Sequence, residues 1–158
     1  MENKRKTVVI HDANVWISFL IGSDYGKLID ALYDPNYRFI VCRELLNELR
    51  DVCRRPKFRK WFTMEFVKDL LEIIRSRCKL IEIENKPQPI LRDPNDSYLI
   101  NLAEQGGADI LVSNDKDITS LKGQIGKLKI FSLAEFMNFY IQSQRTKEEI
   151  PINQIRIK

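Results

Sequence analysis

Short apolar runs alternate with stretches of helical period along this chain. Val8-Val9-Ile10 is a β-branched run of the kind buried on both faces of a sheet, and it ends at His11-Asp12-Ala13-Asn14. Val15, Trp16, Phe19 and Leu20 then repeat at helical spacing. Gly22-Ser23 interrupts that period, Leu28, Ile29 and Leu32 resume it, and Asp34-Pro35-Asn36 stops it. Phe39 to Cys42 reads as a second strand, and residues 43–54 as a helix with the stripe Leu45, Leu46, Leu49, Val52, Cys53. Arg54-Arg55-Pro56 breaks that helix. Thr63 is a cap for the next, whose apolar face is Phe66, Val67, Leu70, Leu71 and Ile74.

Leu80 to Ile83 is a third strand candidate, followed by a loop marked by Pro87 and Pro89. Asp93-Pro94 has the form of a cap followed by proline at the first helical position, and Gly106-Gly107 stops the helix that follows. Residues 108–113 make a fourth strand, with Asn114-Asp115-Lys116-Asp117 as its exit loop, and residues 128–131 a fifth. Ser132 and Glu135 have capping-box spacing at the start of a last helix. This order predicts a three-layer α/β/α sandwich around a mainly parallel sheet of about five strands. One domain is expected over residues 1–140, with a helix end and polar tail over 141–158, in which Ile150 to Lys158 is either a loose tail or an edge that pairs with a partner.

Composition narrows the class. The chain has 158 residues, 44% of them hydrophobic, which suits one globular core. No apolar run is long enough to span a bilayer, and Met1 to Lys6 lacks the apolar region of a secretory signal. The three cysteines, Cys42, Cys53 and Cys78, have no metal-ligand spacing and read as reduced thiols in a cytoplasm. His11 is the sole histidine, which argues against a histidine-rich zinc site and against paired-histidine nuclease chemistry. The net charge of +4 leans mildly toward a polyanionic partner.

Four acids sit where the pattern wants other residues. Asp12 and Asp115 lie just beyond the carboxyl ends of predicted buried strands, where ligand crevices form in parallel sheets. Glu48 comes three residues after Leu45 and four before Val52, so it borders a buried stripe; Glu44 points further toward solvent. Asp96 begins a helix in line with Leu99, Ile100 and Ala103. Each has a plainer reading: a turn residue (Asp12, Asp115), a partner of Arg50 or Arg54 (Glu48), or an acid favoured by the helix dipole (Asp96). Together they predict a cluster whose repulsion a divalent cation would relieve, and oxygen ligands of this kind favour magnesium or manganese over zinc. Asp93 reads as a cap with a secondary role near metal, and Asp117 as either a loop acid or an outer ligand.

Arg54, Arg55, Lys57, Arg59 and Lys60 are candidate phosphate contacts, with Phe58, Trp61 and Phe62 available to stack bases or to fill core. The competing reading of this stretch is a solvated helix end over buried aromatics. No Gly-rich phosphate loop is present, and Asp12-Ala13-Asn14 lacks the acid pair of a response regulator or phosphotransferase.

These residues carry a resemblance. Residues 9–15, Cys42 to Leu49 with Arg54-Arg55-Pro56-Lys57, Arg92 to Leu99, Leu111 to Asp117 and Ile130 to Phe136 resemble the PIN-domain ribonucleases, in the VapC-like group of toxins from toxin–antitoxin pairs. The likeness covers about residues 7 to 140. It implies that Asp12, Glu48, Asp96 and Asp115 bind magnesium or manganese. It implies that Ser113 and Asn14 help orient water or ligands. It further implies a single-stranded RNA substrate, a small cognate antitoxin and homodimerisation. Ala13, His11 and Cys42 depart from the family pattern, but no acid is lost. A non-catalytic RNA-binding or adaptor module on the same fold is the first alternative. A structure-specific DNA nuclease is the second, against which the chain offers no long insertion to thread a strand.

Overall fold

The apolar N-terminal run forms β1 (Thr7–His11), and both of its neighbours in the sheet come from far along the chain. The computed structural model describes the backbone of residues 5–22 and 25–157 and the side chains of residues 5–22 and 25–146. After β1 come α1 (Ala13–Ile21), α2 (Tyr25–Tyr33), β2 (Tyr37–Val41), α3 (Arg43–Cys53), a 3-10 turn (Pro56–Phe58), α4 (Met64–Arg77) and β3 (Lys79–Leu80). A second 3-10 turn (Pro94–Asp96) leads into α5 (Ser97–Gly106), β4 (Ile110–Val112), α6 (Lys116–Thr119), β5 (Lys129–Phe131) and α7 (Leu133–Ile157). The strands form one sheet in the order β3-β2-β1-β4-β5, and every pairing is parallel.

Alternation along the strands decides which helix covers which face. Tyr37 and Phe39 of β2 share a face with His11 of β1. There Phe136 of α7 lies 5.1 Å from His11, and Tyr140 lies 5.3 Å from Tyr37. Trp16 and Phe19 of α1 close on the same imidazole at 5.3 and 5.4 Å. Ile40 points the other way, toward α5. A Cβ added at Gly106 would come within 2.5 Å of Ile40 Cδ1, so glycine is what lets α5 approach the sheet. Helices thus cover both faces, giving the expected three layers, with a mainly aliphatic and aromatic core around β1, β2 and β4.

The predicted punctuation holds. Thr63 Oγ1 accepts from Phe66 N at 3.1 Å. Gly107 takes the left-handed conformation (φ 66°) that ends α5. Ser132 and Glu135 close a reciprocal capping box, with bonds of 3.1 and 3.0 Å. Gly22 terminates α1; Ser23 and residues 1–4 of the charged start lie outside the described residues.

Four expectations need correction. The third strand, expected over 80–83, is only Lys79–Leu80. At this sheet edge side-chain amides replace the ladder: Gln105 bonds both N–H and C=O of Glu84 (2.7 and 2.9 Å), and Asn101 donates to the Lys86 carbonyl at 2.9 Å. The exit loop after β4 contains the one-turn helix α6. Residues 150–157, expected as a loose tail or an edge, continue α7 as helix. Glu44 is half-buried, as Glu48 is, rather than set further into solvent.

Candidate functional site

The strand order places a topological switch at β1. The chain leaves β1 for β2 on one side and later returns to β4 on the other. In open parallel sheets such a point opens a crevice beyond the carboxyl ends of the strands. Asp12 lies there, its N–H bonded to the Val112 carbonyl of β4 at 3.1 Å. Its side chain caps α1: Oδ1 accepts from Val15 N at 2.8 Å. Its other oxygen, Oδ2, accepts a short hydrogen bond from Ser113 Oγ. Ser113 Oγ in turn accepts from Asp115 N at 3.1 Å, and Asp115 Oδ1 accepts from Asp117 N at 2.9 Å to cap α6. Asp12 and Ser113 are buried, while Asp115 is exposed. One hydrogen-bonded chain therefore fixes the ends of β1 and β4 against each other.

Two further acids approach from helices. Glu48 is half-buried on α3 and accepts a hydrogen bond from the Tyr98 hydroxyl of α5. Burial, then that bond to Glu48, push the Tyr98 phenol far above its ordinary range, so it remains a donor. Asp96 ends the second 3-10 turn at the head of α5 and makes no capping bond with its own side chain. Its carboxyl is pushed up to about 6, by burial first and then by the charges of Asp93, Asp115, Glu48 and Asp12. Asp12 is also raised, again by burial first. The Ser113 and Val15 bonds oppose that rise, and Glu48 and Asp115 add to it. The four acids thus act within one negative field. None is in an ion pair among the described residues. Glu48 does not take Arg50, which lies near Asp51 instead at 3.8 Å.

The donor set among the described residues suits a hard divalent cation: carboxylate oxygens, no histidine or thiolate, and no basic residue already neutralising them. The arrangement is looser than a coordination sphere. Among the described residues, no three His, Cys, Asp or Glu side chains are close enough together to hold an ion. Asp12, Glu48 and Asp115 are each engaged by a protein donor instead, as described above. The fit is therefore one of chemistry and location.

The remaining predicted residues divide. Asp93 is a cap, its Oδ1 accepting from Asn95 N at 2.9 Å. Asp117 is half-buried in the first turn of α6. Asn14 is exposed in the first turn of α1. Arg54, Arg55, Lys57, Arg59 and Lys60 are all exposed around the first 3-10 turn. Their aromatic neighbours separate: Phe62 is buried and Phe58 half-buried, whereas Trp61 is 52% exposed with the Lys60 ammonium 5.4 Å from its ring centre. Two residues were not foreseen. Tyr98 reads in sequence as one more apolar position of α5. Asn114, whose Oδ1 accepts from Leu133 N at 2.9 Å and ties the β4 exit to α7, reads as a turn residue.

His11 lies directly before Asp12 and faces away from the crevice chemistry. It is 1% exposed, ringed by Trp16, Phe19, Phe39 and Phe136, and neither ring nitrogen has a hydrogen-bond partner. Burial lowers it to about 3, so this enclosed imidazole is a weak proton acceptor.

Residues 7–117 match the PIN domain family. The chain belongs to that family. A relative of this PIN domain, the uncharacterized protein MJ1680 of Methanocaldococcus jannaschii, is 32% identical over 131 residues, covering 80% of this chain and 83% of the relative. Among solved structures, VapBC2 from Rickettsia felis, bound to a DNA fragment from their promoter, is similar with a TM-score of 0.53 and 18% identity, covering 80% of this chain and 98% of that one. The sarcin–ricin loop cleaving toxin VapC20 of Mycobacterium tuberculosis is similar with a TM-score of 0.51 and 10% identity, covering 77% and 98%. PAE2754 from Pyrobaculum aerophilum is similar at 0.51 and 14%, covering 82% and 85%. At these identities the solved structures bear on the fold, which this PIN domain shares with VapC proteins.

Proposed function

We propose that this PIN domain is a magnesium- or manganese-dependent endoribonuclease that cuts single-stranded RNA, and that it is the toxin of a toxin–antitoxin pair. The observation that carries the proposal is the set of four carboxylates, Asp12, Glu48, Asp96 and Asp115. They come from separate elements to one strand-end crevice, and no cation among the described residues pairs with them. The choice of RNA and of a toxin role is supported by the motif resemblance and by the shared fold with VapC20, a sarcin–ricin loop cleaving toxin.

A divalent ion held by Asp12, Glu48, Asp96 and Asp115 would supply an activated water and charge neutralisation at the scissile phosphate. The protein's own part is positioning. Ser113 and the Val15 N–H fix both oxygens of Asp12, so this carboxylate cannot rotate away from the crevice. Tyr98 orients Glu48 across 50 residues of sequence. Asn14 and Ser113 are the residues we assign to orienting water or ligand, with Asp93 and Asp117 further out. Arg54, Arg55, Lys57, Arg59 and Lys60, with exposed Trp61, form a track for the RNA backbone. No histidine base is required, which agrees with the neutral, buried His11. A small cognate antitoxin and a second copy of the chain are the proposed partners. A cytoplasmic setting is supported by three free, buried cysteines; no helix among the described residues is long and apolar enough to cross a membrane.

The loose spacing of the acids favours a second reading, a non-catalytic RNA-binding module on the same fold. Labelled single-stranded RNA with manganese separates the two. The proposal expects cleavage that chelator abolishes and that Asp12→Asn reduces at least about a hundredfold, with unchanged circular dichroism. Full turnover by Asp12→Asn refutes the assignment, and RNA binding without any cleavage by the wild type establishes the second reading.

A further inference from the structure

The opposite pole of the sheet, at the amino ends of β1, β2 and β3, carries the other sign of charge. A concavity of about 460 Å³ opens there, lined by Lys6, Tyr33, Asp34, Arg38, Arg77 and Lys79 among others. Among the described residues its four cations are accompanied by one carboxylate, and that carboxylate is engaged. Asp34 Oδ1 accepts from Asn36 N and Nδ2 at 2.9 and 3.0 Å, and Oδ2 accepts from Gln144 Nε2 at 2.8 Å. Among the described residues, Lys6, Arg38, Arg77 and Lys79 form no ion pair. The Arg77 guanidinium lies 3.6 Å from the ring centre of Tyr33, which is 54% exposed.

Like charges gathered in one concavity repel across distances within the Debye length of about 8 Å, and a bound anion removes that cost. The chemistry of the lining says which kind of anion. The floor is mostly polar and charged rather than apolar, so it offers no seat for the apolar face of a protein helix. Several separated cations match a chain of phosphates better than one compact anion. The Arg77 guanidinium over the Tyr33 ring adds a surface on which a base can lie.

We propose that this concavity is a second, non-catalytic contact for the phosphodiester backbone of single-stranded RNA, gripping substrate at the pole of the sheet away from the acids. It rests on the endoribonuclease reading and deepens it. The two poles are separated by the length of β1, five residues or roughly 17 Å at 3.3 Å each. Only an RNA extending well beyond the cut engages both, so the contact selects for length and raises affinity without entering the chemical step.

The test is binding of a labelled oligoribonucleotide of roughly 20 nucleotides to the full chain in chelator, titrated across salt concentrations. The double reversal Arg38→Glu with Lys79→Glu is compared with Lys127→Glu with Lys129→Glu, which changes net charge equally elsewhere. The expected result is at least about tenfold weaker binding near 0.1 M salt. The slope of log affinity against log salt should also shrink by about 1.4, two phosphate contacts at ~0.7 each, with the control keeping the wild-type slope. Affinity and slope equal to the control overturn the proposal, as does a wild type that binds no such RNA. Unchanged binding with an altered oligomeric state also overturns it and marks a protein interface. If the double variant fails to fold, Arg77→Gln with Lys79→Gln reads the same slope. Cleavage with manganese is followed in parallel: the proposal expects an unchanged kcat and a raised KM for the reversal. A wild type that binds through this pole yet never cleaves would refute the nuclease reading and leave the contact standing.

Discussion

Glu135 and Asp96 both stand at the start of a helix, and they sit at opposite ends of the carboxylate range. Glu135 takes the Lys122 ammonium and the Ser132 N–H, and these two bonds, in that order, lower it to about 2. Asp96 lacks both kinds of partner and is raised to about 6 by burial and by neighbouring acids. A helix N-terminus favours an acid by about 0.3–1 kcal/mol, which is less than one pKa unit. That preference acts on both residues, so it cannot account for the difference. Partners and neighbours decide it. An acid that stabilises a protein is paired, as Glu135 is; Asp96 is left with like charges around it.

The sharpest way to break this contrast is Asp12→Asn, for which cleavage should fall at least about a hundredfold while the fold holds. Asparagine caps a helix about as well as aspartate, so α1 should keep its start. Loss of the native circular dichroism would show that Asp12 is structural after all. Next in size is His11→Leu, beneath the crevice. Removing an imidazole that has no partner should stabilise by roughly 1–2 kcal/mol, read as a higher urea midpoint. A lower midpoint would mean that the ring nitrogens do find partners.

Asp96→Asn should stabilise the metal-free protein at neutral pH by roughly 1 kcal/mol after allowing for solvent screening, because it removes a charge that the fold disfavours. Urea unfolding in chelator checks this, and a destabilised variant would disprove the repulsion. Glu135→Gln should have the opposite sign and the smallest size. Since the folded state lowers this carboxyl from 4.5 to about 2, its contribution is complete above 4.5 and is lost as pH falls toward 2. The variant should therefore show a shallower loss of thermal stability across that acid window. An unchanged acid limb would show that the Lys122 pair contributes nothing.

Much of this could be read from the residues because it is local. The capping box at Ser132–Glu135, the Asp93 cap, the stop at Gly107 and the buried run of β1 follow from rules spanning a few positions. The acids stood out because a charge beside an apolar stripe, or beyond a buried strand, breaks a local pattern. What was illegible depends on distance across the fold. Tyr98 meets Glu48 over 50 residues, and nothing in Ser97-Tyr98-Leu99 separates an orienting phenol from a core aromatic. The shortening of β3 depends on Gln105 and Asn101 taking over bonds a ladder would have made. The basic concavity joins the start of β1, the α2–β2 turn and the α4–β3 junction, so its cations never form a run in sequence.

The switch in strand order has a consequence for biosynthesis. Ser113, which holds one oxygen of Asp12, is made 101 residues after it. A nascent chain that stops short of β4 has Asp12, Glu48 and Asp96 but lacks Ser113, which holds Asp12, and the fourth acid, Asp115. Whatever the crevice does is withheld until β4 and Asp115 have been made, by chain connectivity alone.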